Sequence, residues 1–281
     1  MRRPVIFKVF HVVILFTAVF VAGLEVTAAA DTEVTLQGQA VQGGLLRGRA
    51  APGTRLRLGR QVVRVSEQGN FILGFGRDAP QTVSLAVVLP TGKAYKKTIS
   101  VKQRHYQIQH IDGLPSKMVT PPAERRERIR REAAKVRALR TADTDLLGVN
   151  QVFVWPAQGR VSGVYGSQRI LNGVPKRPHF GLDIAAPIGT PVIAPAAGKV
   201  VLVADLYYTG HTVLIDHGHG LNSVYCHLSK VDVKQGQMVE QGQLLGGIGA
   251  TGRATGPHLH WGVNWFGVRL DPQLFLSEAQ S

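Results

Sequence analysis

Beyond Glu33, the apolar residues of this chain come in short alternating runs, each cut off by glycine, proline or asparagine, and that punctuation most limits what it can fold into. Val34-Thr35-Leu36, Arg55-Leu56-Arg57-Leu58, Gln61-Val62-Val63-Arg64-Val65, Phe71-Ile72-Leu73 and Val83 to Val88 have the period of half-buried strands. Pro52-Gly53, Gln68-Gly69-Asn70 and Pro90-Thr91-Gly92 are turns between them. The spacing predicts a small antiparallel β-sandwich over 31–113, of immunoglobulin-like kind, with no convincing catalytic set and a structural role as its default. Valine-rich strands recur at Gly198 to Val203, Thr212 to Asp216 and Leu221 to His227, with tight hairpins expected around Gly236 and Gly242. The fold class expected is therefore mainly β, with a second antiparallel β domain over 149–281.

One stretch interrupts this pattern. Pro121-Pro122-Ala123-Glu124 opens a charged run to Arg140, with Thr120 as N-cap, and predicts a helix within a linker over 114–148. Ile129, Ala133, Val136 and Leu139 form its narrow apolar stripe, and Glu124 with Arg128 and Glu127 with Arg131 have helical ion-pair spacing. Its arginine excess reads first as a solvated face and second as a contact for anionic polymer.

The first 30 residues read as a secretory signal: Arg2, Arg3 and Lys8 form a basic start, Val12 to Leu24 is apolar, and Ala28-Ala29-Ala30 is a small-residue cleavage site. The apolar run is shorter than the roughly 20 residues that span a bilayer, so no stable membrane span is expected after cleavage. The formal net charge is +15, and loss of the signal leaves the chain strongly basic. An exported basic protein is drawn to anionic envelope polymers, whereas no nucleic-acid motif is present. The lone Cys226 excludes an internal disulfide.

Chemistry concentrates in Gly256-Pro257-His258-Leu259-His260-Trp261-Gly262-Val263. On a strand His258 and His260 share one face, while Leu259 and Trp261 point to the other. Two neutral imidazoles on rigid backbone suit a transition metal, but a catalytic zinc takes three protein ligands and leaves a position for water. Pro178-His179-Phe180-Gly181-Leu182-Asp183 offers the missing donors, and its glycine and prolines favour a loop entering a strand over a helical face. Strand geometry leaves open which of His258 and His260 would ligate.

The two halves together resemble the signature of the M23 (LytM- or lysostaphin-type) zinc metallopeptidases, His-x-x-x-Asp followed far downstream by His-x-His. The resemblance runs from about Val152 to Leu276. It implies a small antiparallel β domain with one Zn2+ ion in a groove, held by His179, Asp183 and His260. It also implies a catalytic pair, His258 and the His227 of Tyr225-Cys226-His227-Leu228-Ser229, orienting water, moving protons and stabilising charge. The function so implied is a secreted metalloendopeptidase that hydrolyses peptide cross-links of peptidoglycan, preferably a D,D-endopeptidase, in the periplasm or cell envelope. The alternatives are a non-catalytic LytM-type protein that binds the wall or activates an amidase, and an enzyme whose N-terminal domain plugs its own groove.

Other histidines carry less. His217 and His219 lie in a glycine-bounded turn, and His105, His110 and His211 read as surface or packing residues. Cys226, the neighbour of His227, is expected to point away from the groove as a small buried hydrophobe. Ser167, Arg169 and Asn172, ahead of the first ligand, are expected to line a groove wall.

Overall fold

The structure, a computed structural model of the 281-residue chain, describes residues 33–113, 120 and 122–276. The expected signal segment lies outside the described residues, and no described helix is long and apolar enough to cross a membrane.

The N-terminal part is built from β1 (Thr35–Gln37), β2 (Leu45–Arg49), β3 (Arg55–Leu58), β4 (Gln61–Val63), β5 (Asn70–Gly74), β6 (Thr82–Val88) and β7 (Ala94–Ser100). They form two antiparallel sheets, ordered β1-β2-β5 and β4-β3-β6-β7. Strand alternation explains the packing: Arg55 and Arg57 face solvent while Leu56 joins Leu46, Phe71, Leu73, Leu85 and Val87 in the core. β8 (Ile108–Ile111) then leaves the sandwich and pairs in parallel with a strand from the second half of the chain.

The charged run forms α1 (Arg126–Arg140), preceded by a 3-10 turn at Ala123–Arg125. The helix starts later than the Thr120 cap would place it, because Pro122 holds extended backbone (ψ 154). Arg128 pairs with Glu132 at 2.6 Å rather than with Glu124. The same two side chains fasten the helix elsewhere: Arg128 Nη2 donates to the Asp205 carbonyl, and Glu132 accepts from the Tyr207 amide.

The second half comprises β9 (Arg160–Gly163), β10 (Gln168–Leu171), β11 (Val174–Pro175), β12 (Leu182–Ala185), β13 (Pro191–Ile193), β14 (Gly198–Leu206), β15 (Gly210–Gly218), β16 (Leu221–Val231), β17 (Met238–Val239), β18 (Leu244–Ile248), β19 (His258–Trp265) and β20 (Val268–Leu270). β10 is the partner of β8 and also pairs with β11. The main sheet runs β17-β14-β15-β16-β19-β12-β9.

Register sorts this sheet into two faces, because residues directly opposite one another on paired strands share a side. Leu182, Trp261 and Tyr225 align on one face, with Val263 and Trp265 further along β19. This face packs into a hydrophobic cluster shared with the sandwich: Gly74 lies so near Trp265 that a Cβ would sit 2.9 Å from its ring. Asp183, His260 and Cys226 align on the opposite face. There α1 lays Val136 and Leu139 on Leu202, Leu214, Val224 and Cys226. The sandwich thus packs through Gly74 on the reverse of the ligand face, and the linker helix covers part of the ligand face.

Candidate active site

β12 and β19 hold the site together. Their antiparallel register sets Asp183 opposite His260 and Ala185 opposite His258, so the sequence spacing becomes a spatial cluster. His179 arrives from the loop before β12, where its amide is held by the Ser167 carbonyl and its own carbonyl accepts from the Gly166 amide. Small residues make room: a Cβ on Gly181 would lie 2.6 Å from His260 Cε1, and one on Gly163 would lie 2.5 Å from Asp183 Oδ2.

Three donor atoms converge. Asp183 Oδ1 is 2.9 Å from His179 Nε2 and 2.8 Å from His260 Nδ1, and the two nitrogens are 3.0 Å apart. His179 Nδ1 lies 3.0 Å from the Val164 carbonyl and donates to it, which leaves Nε2 a bare lone pair in the neutral ring. A carboxylate oxygen and an imidazole lone pair then face each other at hydrogen-bond distance without a proton between them. A cation relieves that repulsion, and one carboxylate with two imidazoles is a donor set suited to a first-row divalent metal. The residues present therefore fit a metal ion. Burial favours the neutral form of Asp183, but its close imidazole partners outweigh it and hold its pKa well below the usual carboxylate range. Burial pushes His260 down to about 4, against the attraction of Asp183. Asp183 spends its second oxygen on Arg169, whose Nη2 lies 2.6 Å away. Arg169 therefore touches a donor residue rather than simply lining a wall.

His258 and His227 flank the cluster. His258 Nε2 is 4.0 Å from Asp183 Oδ1, further than the converging nitrogens, and the His227 and His258 rings are 4.7 Å apart. Each ring has its Nδ1 on a backbone carbonyl, His227 on Thr251 at 2.7 Å and His258 on Gly256 at 2.9 Å. Both present Nε2 as an unprotonated base in the neutral form. Burial lowers the His227 pKa to about 3. Its backbone is left-handed (φ 64), which breaks the strand alternation at this residue.

That break matters for Cys226. It is a buried small hydrophobe as expected, but its register with His260 places it on the ligand face, beneath α1. The other described histidines stay apart from the cluster. His217 is fully buried, donating from Nδ1 to the Ala197 carbonyl and bonded through Nε2 to the Ser223 hydroxyl. His219 sits in a turn with φ 54 between Gly218 and Gly220. Sequence reasoning missed Arg169's contact with Asp183, and also the three carbonyls that set the tautomers of His179, His227 and His258. A carbonyl leaves no mark in residue identity.

The family model "Peptidase family M23" matches residues 177–272, which hold all five of these side chains. Among curated proteins, the peptidoglycan DD-endopeptidases ShyA and ShyB of Vibrio cholerae are each 48% identical, over 104 and 86 residues, or 36% and 31% of this chain. The matches cover only 24% and 20% of those relatives' own lengths. A solved structure from Pseudomonas aeruginosa, described as a candidate M23 peptidase, superposes with a TM-score of 0.67 at 35% identity. It covers 85% of this chain and 96% of its own, so the likeness embraces the sandwich and helix as well as the site. The chain accordingly belongs to peptidase family M23.

Proposed function

We propose that this chain is an exported zinc endopeptidase that hydrolyses peptide cross-links of peptidoglycan, with D,D-bonds as its preferred target, in the periplasm or cell envelope. The observation that carries the reading is the convergence of three donor atoms within 3.0 Å of one another beside two histidines whose Nε2 atoms are free to accept a proton. The names of the curated relatives ShyA and ShyB support the substrate. The division into a sandwich over 31–113, a linker over 114–148 and a peptidase domain over 149–281 belongs to the same proposal.

His179, Asp183 and His260 would hold one Zn2+ ion, which supplies Lewis acidity when bound, acidifying water and polarising the scissile carbonyl. Arg169 fixes the Asp183 carboxylate so that Oδ1 stays turned toward the two nitrogens. His227, kept neutral by burial, is suited to take a proton from the attacking water at Nε2. The proton that His227 takes is available to the adjacent, more solvent-open His258, which once protonated is suited to donate to the developing oxyanion and then to pass that proton to the leaving amine. The Thr251 and Gly256 carbonyls keep both rings oriented for these roles throughout.

The test is release of soluble fragments from purified peptidoglycan, with mass spectrometry of the products. Mature protein should release D,D-cleaved fragments in a zinc-dependent way, and His260→Ala should release none. Folded, zinc-loaded protein that releases nothing would transfer the reading to the non-catalytic, amidase-activating class.

A further inference from the structure

The ligand face of the main sheet carries a second constellation that the hydrolytic steps leave unused. Register places Asn222, Asn264 and Arg269 in one row across β16, β19 and β20, on the same face as Cys226, His260 and Asp183. The row lies four residues along β19 from His260, a distance of about 13 Å or roughly four residues of extended peptide. Hydrogen bonds lock it. Arg269 Nη1 donates to Asn264 Oδ1 at 2.8 Å, Asn264 Nδ2 donates to Asn222 Oδ1 at 3.0 Å, and Asn222 Nδ2 donates to the Arg140 carbonyl at 3.3 Å. Asn222 and Asn264 are buried. Arg140 is the last residue of α1: its carbonyl ends the row, and its guanidinium lies near enough to Arg269 for the two charges to repel.

Among the described residues neither Arg140 nor Arg269 is ion-paired, and Arg140 Nε is sealed from solvent without a hydrogen-bond partner. Burial lowers the pKa of Arg140 to about 9, and repulsion from Arg269 adds to it. Arg269 is likewise lowered by burial to about 10, with the charge of Arg177 adding repulsion. Partly buried cations beside one another favour a ligand that supplies an anion, and a planar guanidinium fork matches a carboxylate.

We propose that Arg140 and Arg269 form an anion subsite of the cleft that takes a free carboxylate of the peptide being cut. The proposal rests on the hydrolytic reading and deepens it: the substrate is a cross-link bearing a carboxylate a few residues from the scissile bond. It also gives α1 a role in substrate binding, half of the subsite being its own C-terminal residue.

The test uses the full-length mature protein, zinc-loaded, with synthetic cross-linked peptides as the free acid, the C-terminal amide, the side-chain amide and the double amide. Amidating the recognised carboxylate should raise KM at least tenfold with kcat little changed, and the two single amides show which carboxylate that is. Arg269→Gln should raise KM for the acid similarly, its loss and the amidation loss should not add, and Arg269→Lys should recover part of it. A subsite-free cleft would cut acid and amides alike, and a merely structural Arg269 would lower kcat/KM equally on all of them. Binding is read separately from the Nε–Hε NMR signals of Arg140 and Arg269, which should move with the acid and not with the double amide. If no peptide is cut but those signals move, the hydrolytic reading fails and the subsite stands. If they stay still, the subsite is overturned whatever the activity.

Discussion

Replacing Arg169 with glutamine should weaken zinc binding rather than substrate binding. Its Nη2 lies 2.6 Å from Asp183 Oδ2, and the two side chains are 25% and 9% exposed, so the contact is mostly shielded from water. Breaking a fully buried pair costs about 3–5 kcal/mol, but Arg169 keeps some solvent and Asp183 keeps its two histidines, so the cost here is smaller. Loss of a group that orients a metal ligand typically costs 10–100-fold in affinity, or about 1.4–2.7 kcal/mol. Competition with a chromophoric chelator at neutral pH reads this directly. Arg169→Lys, with one point charge in place of the fork, should fall between wild type and Arg169→Gln. Zinc affinity within twofold of wild type, with only KM raised, would refute the reasoning and return Arg169 to the groove wall.

Three further outcomes follow from the same geometry. Gly181→Ala should displace His260, whose Cε1 would lie 2.6 Å from the new methyl, and should cost about 1–3 kcal/mol in thermal unfolding together with weaker zinc binding. Burial lowers the His217 pKa to about 4 while the unfolded chain titrates near 6.5, so the unfolded state takes up the proton first as pH falls. The stability held above about pH 6.5 should therefore decline toward pH 4, by about 3 kcal/mol from this residue alone, and urea unfolding of His217→Gln should show a flatter pH dependence. Cys226, buried under α1 with its thiol pushed up to about 12, should resist iodoacetamide at pH 8 in the native protein and react once urea unfolds it; rapid native labelling would mean that α1 lifts from the sheet.

The parts of the fold legible in sequence are those written in side chains. Arg55-Leu56-Arg57-Leu58 shows the strand period directly, and the structure keeps the arginines out and Leu56 in. The Asp183 and His258-Leu259-His260 spacings likewise translate into one face, since β12 and β19 pair in register, and His179 joins them from the loop before β12. What sequence could not give depends on backbone and on distant strands. Alternation misplaced Cys226 because the left-handed His227 interrupts it, and nothing in the pair Cys226-His227 announces φ 64. Thr120 looked like a cap because the pattern ignores how Pro122 steers the chain. Arg140 and Arg269 lie far apart in sequence, and only the asparagine row of β16 and β19 brings them together.

The sharing of a core between sandwich and main sheet also governs when the molecule can fold. Phe71, Leu73 and Phe75 belong to the cluster that Trp265, Phe266 and Phe275 complete, and Asp271 ties back through its amide to the Gly43 carbonyl and through its carboxylate to Arg104 at 2.8 Å. The β2 and β5 strands of the sandwich thus wait for β19 and the residues after it. A chain threaded outward from its N-terminus would present an unfinished sandwich to the far side of the membrane until residues beyond Trp265 had crossed. Its exposed strand edges would need shielding throughout that delay. Under the proposed export and wall-cutting function, the late closure would equally keep the cleft from assembling before the chain has crossed.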